Sequence, residues 1–179
     1  MSVEQKTTQP FQIRAAAPDD ARQLRDVHIN AVRTLAANDY TPAQIEAWVG
    51  DLAPDNYRYA MQELGEAMFV ASQQDRIVGF ASLLGKEVRA VYVHPDYARQ
   101  GIGSALLNAV EHEARSRGMN TLQTAASLTA VPFYQAHRYQ IITKSTLSLQ
   151  MTLIFPVSIW KSGCSMIAKS DAISNRNAT

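Results

Sequence analysis

The stretch that decides the fold is VYVHPDYARQGIGSALL, residues 91–107. Its apolar start predicts the end of a β-strand, and the run from about Gly103 predicts the beginning of an α-helix. The turn between them holds Gly101 and Gly103, which lack a Cβ and therefore let the backbone approach a ligand closely. Because the first N–H groups of a helix have no partner inside it, the turn predicts a site for a phosphate or pyrophosphate.

Two other phosphate motifs do not fit this turn. A P-loop requires a lysine after its last glycine, and none follows here. The dinucleotide fingerprint would place its third glycine at Leu106, and it follows a parallel strand rather than an antiparallel meander. A tight strand-to-helix turn without any ligand remains the alternative, since it has the same glycine pattern.

The chain before the turn changes from helical to strand-like periodicity. FQIRA at residues 11–15 predicts a strand, and helices are predicted to begin at Pro18, at Thr41-Pro42 and at Pro54. The strand-like runs that follow are MFVAS (68–72), IVGFASLL (77–84) and VRAVYV (88–93), with turn residues between them. These runs predict an antiparallel meander that leads into the glycine-rich turn.

The chain after the turn alternates between helix and strand. A helix is predicted from Gly103 to the cap at Gly118, a strand over Thr121–Ala125, a helix over Val131–His137 and a strand over Tyr139–Thr143. The predicted fold class is therefore α/β (α+β), with helices on the flanks of a central sheet. We expect a disordered leader at 1–10, one domain over 11–149 and an atypical C-terminal tail over 150–179.

Composition limits the classes of function. The 179 residues carry 17 basic and 16 acidic side chains and are 46% hydrophobic, which is typical of one globular domain. The net charge of +1 argues against non-specific nucleic-acid binding, and no apolar run approaches the roughly 18 residues of a membrane span. The polar start, MSVEQKTTQP, is unlike a signal peptide, and Cys164 alone makes neither a disulfide within the chain nor a zinc site. We expect a cytoplasmic protein without a metal.

Two segments resemble the GNAT family of N-acetyltransferases. The acetyl-CoA motif of that family is Arg/Gln-x-x-Gly-x-Gly/Ala, and Gly101 and Gly103 match its glycines, whereas Ala98 departs from its first position. ASLTAVPFY at residues 126–134 is similar to the family's strand-five to helix-four segment, and YTPAQIEAW at 40–48 resembles a bacterial small-molecule subgroup. The resemblance implies a mixed, mostly antiparallel sheet whose fourth and fifth strands splay apart.

The resemblance also implies roles for individual residues. Acetyl-CoA would be the co-substrate, and Tyr134 would protonate the departing thiolate. The implied cofactor-binding residues are Val91, Val93, Arg99, Gln100, Gly101, Ile102, Gly103, Ser104, Ser127 and Phe133. Tyr134 has an alternative interpretation as a core aromatic residue whose hydroxyl is hydrogen-bonded.

The general base is less well defined. Some family members carry a glutamate where Glu87 stands, at the start of the fourth strand, although a solvated strand-end carboxylate is the alternative. Many relatives carry an acid two positions later, where this chain has Arg89, and a cation there favours an acceptor with a negative group. His28 and Trp48 lie on the helices that wall the acceptor pocket in the family, either as ligands or as packing residues.

The tail does not match the family's last strand. From Gln150 the written sequence shows no clean alternation, and Pro156 interrupts its one apolar run. Codons that are allowed for residues 150–162 can be read in the frame that starts at the third base of each codon. In that frame they can encode NDVDIPCFYMEKW, which is more similar to the family's last strand than the given sequence is. A frameshift near residue 150 is therefore one hypothesis, and a divergent tail is the other.

The resulting functional prediction is transfer of an acetyl group from acetyl-CoA to a small-molecule primary amine, by direct attack in a ternary complex. A non-catalytic acyl-CoA-binding or interaction module is the alternative, supported by Ala98, Arg89 and the tail. No nucleic-acid or membrane partner is expected, and the family resemblance is compatible with a homodimer.

Overall fold

The computed structural model describes residues 10–141 and the backbone of a strand at 153–155. The strands are β1 Gln12–Ala15, β2 Ala67–Gln73, β3 Arg76–Leu84, β4 Glu87–Val93, β5 Gln123–Ala126 and β6 Leu153–Phe155. The α-helices are α1 Ala21–Leu35, α2 Pro42–Val49, α3 Pro54–Gln62, α4 Ile102–Ser116 and α5 Val131–Ala136. None of the helices in the described ranges combines the length and apolar character that a bilayer crossing needs.

The six described strands form one sheet in the order in which they follow along the chain. β1 to β4 are joined by antiparallel pairing, as expected for a meander. β4 and β5 pair in parallel through only two positions, Glu87↔Gln123 and Val88↔Thr124, and then separate. The predicted mixed, mostly antiparallel sheet flanked by helices is confirmed.

The sheet is covered on both faces. On one face, Leu24 of α1 belongs to a buried cluster with Phe80 of β3. On the other face, Leu106 of α4 packs with Leu83 of β3. Each such side chain contributes about 1.5–3 kcal/mol when it is fully buried. α4 lies so close to β3 that a Cβ on Gly79 would be 3.0 Å from Leu106 Cδ1, so this strand position requires glycine.

The start of α2 follows the sequence signal closely. Thr41 is the N-cap, and its Oγ1 accepts a hydrogen bond from the N–H of Gln44 at 3.3 Å. The Gln44 side chain accepts one in return from the N–H of Thr41 at 2.9 Å. This capping box, with Pro42 at the first helical position, fixes where the chain turns back after α1.

The end of the described domain differs from the sequence prediction. The strand predicted over Tyr139–Thr143 is wrong for its described part, because residues 139–141 are not in a strand. Tyr139 instead turns into the core, where its hydroxyl donates to Glu111 Oε1 at 3.0 Å. A buried partner on α4 therefore holds this residue in place of strand pairing. Residues 142 and 143 lie outside the described residues.

The leader and the tail remain predictions. Residues 1–9 and all of the tail except 153–155 lie outside the described residues. The strand at Leu153–Phe155 pairs antiparallel with β5, with Ala125 opposite Ile154. Three paired residues do not test whether the tail is the product of a frameshift.

A buried carboxylate fixes β1 against the start of α1. Asp20 receives two hydrogen bonds from the Arg14 guanidinium, at 2.7 and 2.9 Å, and one from the N–H of Ala17 at 2.7 Å. The hydrogen bond from Arg14 is the main reason why the pKa of Asp20 is lowered. A hydrogen bond to a charged group stabilises the folded state by roughly 1.5–3 kcal/mol.

Replacing Asp20 by Asn should lower the free energy of unfolding by about 1–3 kcal/mol at pH 7. Because folding lowers the pKa of Asp20, its contribution is present above the unfolded-state pKa of about 4 and is lost as the pH falls further. Urea unfolding of both proteins between about pH 7 and 3 should show the difference shrinking at the acid end. Asp19→Asn, at the exposed neighbour, is the matched control, and an equal loss there would contradict the assignment.

Candidate active site

The separation of β4 from β5 opens a cleft of about 610 Å³. Its walls come from α1, α2, β4, β5 and the N-terminal half of α5. The residues that line it and that matter below are Tyr40, Trp48, Asp51, Glu87, Arg89, Val91, Tyr92, Val93, Gly103, Ser127, Thr129, Phe133 and Tyr134. A cleft of this volume is typical of a small-molecule site.

The glycine-rich turn lies at the end of this cleft. Gly101 is the N-cap of α4 with φ of +82°, and Arg99 before it has φ of +64°. The N–H of Ala105 bonds to the Gly101 carbonyl at 3.0 Å, so the N–H groups of residues 102–104 precede the first bond of the helix. These three N–H groups and the helix dipole make the end of α4 favourable for an anion.

The side chains of the turn point in different directions. Ile102 is buried against the sheet, so only its main chain is available to a ligand. Arg99 is exposed, and the Gln100 amide donates to the carbonyl of Asp96 at 3.3 Å. Ser104 is half-buried on the first turn of α4.

Gly103 allows α5 to approach α4 closely. A Cβ at this position would lie 3.2 Å from Cε2 of Phe133 and 3.7 Å from Cγ2 of Val93. The Phe133 ring therefore packs directly on the first turn of α4, at the end of β4. This contact brings the two predicted motif segments, 99–104 and 126–134, to one place.

Tyr134 lies in the cleft wall and is only 6% exposed. Burial raises the pKa of its hydroxyl to about 12, and the Thr124 side chain offsets part of that rise. The Tyr134 ring lies between the rings of Phe133 and Tyr139, with centroids 5.2 Å away in each case. The hydroxyl thus stays protonated at neutral pH inside the cleft.

Two charged groups of the cleft lie toward the start of β4, and a third, Asp51, follows α2. Glu87 is half-buried on β4, with Arg89 two residues further along. Nε of Arg89 lies 3.8 Å from Oε2 of Glu66, a buried carboxylate just before β2. Glu66 was missed by the sequence analysis, because no local pattern links it to Arg89, 23 positions away.

Aromatic side chains form the wall opposite α5. Tyr92 and Trp48 line the cleft, and only Trp48 was singled out from the sequence. His28 packs behind Tyr92, with ring centroids 3.9 Å apart, and its Nδ1 lies 2.8 Å from the Tyr57 hydroxyl. Burial lowers the pKa of His28 to about 4, so the ring is neutral at pH 7 and acts as a packing residue.

Two long-range hydrogen bonds close one side of the cleft. The hydroxyl of Tyr40 accepts from the N–H of Leu128 at 2.8 Å. The hydroxyl of Thr129 donates to Oδ2 of Asp39 at 2.6 Å. The connection between α1 and α2 is thereby tied to the turn between β5 and α5. Within the described residues, no group of three or more histidine, cysteine, aspartate or glutamate side chains is placed to hold a metal ion.

Comparison with known proteins identifies the family. Residues 36–148 match the family model described as an acetyltransferase (GNAT) domain. The chain is 32% identical over 132 residues to an uncharacterized N-acetyltransferase, YafP, of Escherichia coli K12, covering 74% of this chain and 83% of that protein. It is 29% identical over 119 residues to the peptidyl-lysine N-acetyltransferase YjaB of Salmonella typhimurium LT2, covering 65% and 72% of the two chains.

Solved structures agree with the sequence relatives. A GCN5-related N-acetyltransferase from Rhodopseudomonas palustris superposes with a TM-score of 0.72 at 32% identity, covering 81% of this chain and 91% of that one. The PaiA N-acetyltransferase from Thermoplasma acidophilum, in complex with coenzyme A, shares the fold with a TM-score of 0.65 at 18% identity, covering 81% and 96%. The chain therefore belongs to the GNAT family of acetyl-CoA-dependent N-acetyltransferases.

Proposed function

We propose that this chain transfers the acetyl group of acetyl-CoA to a small-molecule primary amine, by direct attack of the amine in a ternary complex. The supporting observation is that one cleft of about 610 Å³ is lined by Gly103 of the anion-binding turn, by Tyr134 and by Glu87. The ties from Asp39 and Tyr40 to the β5–α5 turn restrict access from one side. A restricted cleft favours a small acceptor over a lysine on a folded protein.

The residues present fit the co-substrate. Residues 99–104 would bind the pyrophosphate through the main-chain N–H groups at the start of α4 and the cationic side chain of Arg99. A Cβ built on Gly101 would meet no atom within 4 Å, so there is open space at this end of the helix. Val91 and Val93 would pair with the amides of the pantetheine arm, since β5 has already separated from β4 there.

Two further predicted contacts lie along the same path. Ser127 lines the cleft, and its Oγ accepts from the N–H of Ala130 at 3.2 Å, which shapes the turn before α5. Phe133 covers the first turn of α4 and would border the arm on the side away from β4. Both residues act through shape, in contrast to the N–H groups of the turn.

The chemistry requires a nucleophilic amine and a stabilised leaving group. The neutral amine attacks the acetyl carbon, the C–N bond forms, the C–S bond breaks and the amine nitrogen loses a proton. Tyr134 would donate a hydrogen bond, and then a proton, to the departing sulfur. Full transfer from a hydroxyl whose pKa is about 12 to a thiolate is uphill, so stabilisation of the developing charge carries most of the effect.

Glu87 would receive the proton of the amine. Glu87 lies four residues before Val91, and four residues of a strand span about 13 Å. Because the pantetheine arm would pair at Val91, the proton of the amine would reach Glu87 through water in the cleft. Asp51 is a second carboxylate in the same cleft and is the competing candidate.

Arg89 would select the acceptor. Its side chain reaches into the cleft where many relatives carry an acid, and it is about half-exposed. A guanidinium at this place favours an amine that also bears a carboxylate or another anionic group. The 3.8 Å separation from Glu66 leaves its hydrogen-bond donors available for a shorter contact.

The first prediction concerns Tyr134. Wild type and Tyr134→Phe should bind acetyl-CoA equally in a calorimetric titration, while Tyr134→Phe should lose about 100-fold or more in thiol release with an amine panel. Since Tyr134 keeps its proton up to about pH 12, it should produce no falling limb in the pH–rate profile below about pH 10. Tyr139→Phe, whose hydroxyl bonds to Glu111 outside the cleft, is the matched control.

These titrations also separate the enzyme from the alternative. Binding of acetyl-CoA without turnover of any amine would favour the non-catalytic module. Ala98 and Arg89, which depart from the family pattern, support that alternative. No binding at millimolar acetyl-CoA would overturn the assignment of the cleft altogether.

The second prediction concerns the base. Glu87→Gln should reduce kcat by about 10–100-fold at pH 7 and leave acetyl-CoA binding unchanged. Asp51→Asn removes the other cleft carboxylate and should have little effect. The opposite ranking of the two variants would transfer the role to Asp51.

The third prediction concerns acceptor choice. Arg89→Ala should raise KM about 10-fold for amines that carry a carboxylate and change KM less than about twofold for neutral amines. Arg89→Lys keeps the charge and should show a smaller effect. If lysine in a peptide is acetylated faster than every small amine, the small-molecule assignment is wrong.

A further inference from the structure

His137 is hydrogen-bonded at both ring nitrogens, and one partner belongs to the anion-binding turn. Its Nδ1 lies 2.8 Å from the carbonyl oxygen of Phe133, and its Nε2 lies 2.9 Å from Oγ of Ser104. Its ring also packs on the Phe133 ring, with centroids 4.5 Å apart. The residue that follows α5 thus holds a hydroxyl on the first turn of α4.

The partners determine where the proton of the neutral ring lies. A carbonyl oxygen only accepts hydrogen bonds, so Nδ1 must carry the hydrogen in its contact with Phe133. The neutral ring then has a lone pair at Nε2, and the Ser104 hydroxyl must donate its hydrogen to it. In this state Ser104 presents only lone pairs to a ligand, which repel a phosphate oxygen.

A second proton on the ring reverses the bond to Ser104. Nε2 then donates to Oγ, and the Ser104 hydrogen is released to point toward the end of α4. The anion site gains a donor and a nearby positive charge, both of which favour phosphate.

We propose that His137 is a positioning residue for Ser104, and that binding of the CoA pyrophosphate at the start of α4 is coupled to uptake of one proton by His137. This inference rests on the proposed function, because it takes the pyrophosphate to bind at residues 99–104. Because binding takes up a proton, affinity for the pyrophosphate should be higher at acid pH and should fall as the pH rises.

The charges around His137 support the direction of this coupling. Arg138 follows His137 directly in the chain, and Arg99 lies in the turn before α4; both side chains are exposed. His94 in the same turn lies 3.6 Å from Asp96. Along α4, His112 is exposed, and the carboxylates Glu111 and Glu113 are paired with Arg115 and Arg117, beginning about 10 Å beyond Ser104. Toward the far end of β4 lie Glu87 and Arg89.

Without a ligand, the positive charge of the neighbouring Arg138 opposes a further positive charge on the ring. A bound pyrophosphate would neutralise that opposition. The hydrogen bonds also suggest a simpler role, in which Ser104 and His137 only tie α5 to α4; such a tie predicts no proton uptake.

The test uses dephospho-CoA, which keeps the pyrophosphate but lacks the 3′-phosphate, a group that itself titrates near pH 6. Calorimetry between about pH 5.5 and 8.5, in buffers of different ionisation enthalpy, measures both affinity and protons taken up. Wild type should bind about tenfold more tightly at the acid end, and linkage then requires an uptake that peaks at about half a proton at intermediate pH. Pantetheine, without the pyrophosphate, should cause no uptake.

His137→Gln keeps a hydrogen-bond donor for Ser104 and does not titrate, so its affinity should be independent of pH and its proton uptake absent. Ser104→Ala keeps the main-chain N–H and should also lose the acid-side gain. In histidine NMR spectra, the titration midpoint of His137 should rise when dephospho-CoA is added to the wild type.

The outcomes distinguish this inference from the proposed function. Proton uptake by His137→Gln equal to that of the wild type would overturn the role of His137 and leave the cofactor site intact. No binding of dephospho-CoA or acetyl-CoA by the wild type would overturn the cofactor site itself.

Discussion

β4 and β5 pair in parallel through two positions each and then diverge, so among the described strands only β3 pairs with the backbone of β4 beyond Val88. Backbone N–H and C=O groups without a partner are costly unless water or a ligand reaches them. A ligand with amide groups of its own is a suitable partner at this place. The cleft, the position of its walls and the direction of the pantetheine path in the proposed complex all follow from this divergence.

Close packing of α4 and α5 accompanies the separation of β4 and β5. Phe133 at the start of α5 packs against Gly103 at the start of α4. The start of α5 therefore lies next to the end of β4. Gly79 lets α4 lie directly on β3 from the other side. A side chain at Gly79 would press on Leu106 and Ile102 of α4. One at Gly103 would press on the Phe133 ring. Gly79 and Gly103 thus set how closely α4 approaches β3 and α5, in a region where the proposed ligand contacts are made by backbone N–H groups.

Local signals in the sequence were sufficient for most elements. The apolar run at residues 77–84, bounded by turn residues, and the Thr41-Pro42 start signal predicted a strand and a helix that the structure confirms. The glycine-rich turn predicted where a helix begins after β4, because the backbone conformation of Gly101 is a local property. The strand predicted from residue 139 is absent over residues 139–141, where Tyr139 packs in the core and donates its hydroxyl hydrogen to the distant Glu111.

What the sequence could not predict are pairs that the fold brings together from far apart. Glu66 and Arg89, Tyr40 and Leu128, and Ser104 and His137 are separated by 20 or more positions, and no periodicity links them. The first two pairs shape the acceptor side of the cleft. In the proposed complex, the acceptor side of the cleft therefore depends on tertiary contacts, while the proposed cofactor side depends on contiguous motifs.

The ties between the α1–α2 connection and the β5–α5 turn also bear on how the chain acquires its shape. They join residues 88 and 90 positions apart, so closing these loops costs more chain entropy than forming the β2–β3–β4 meander or the α2 cap. We expect the meander to assemble early and the ties late, as is general for contacts of large sequence separation. On the ribosome, Tyr40 emerges long before Leu128 is synthesised. The hydrogen bond between them can therefore form only after the β5–α5 turn has been made.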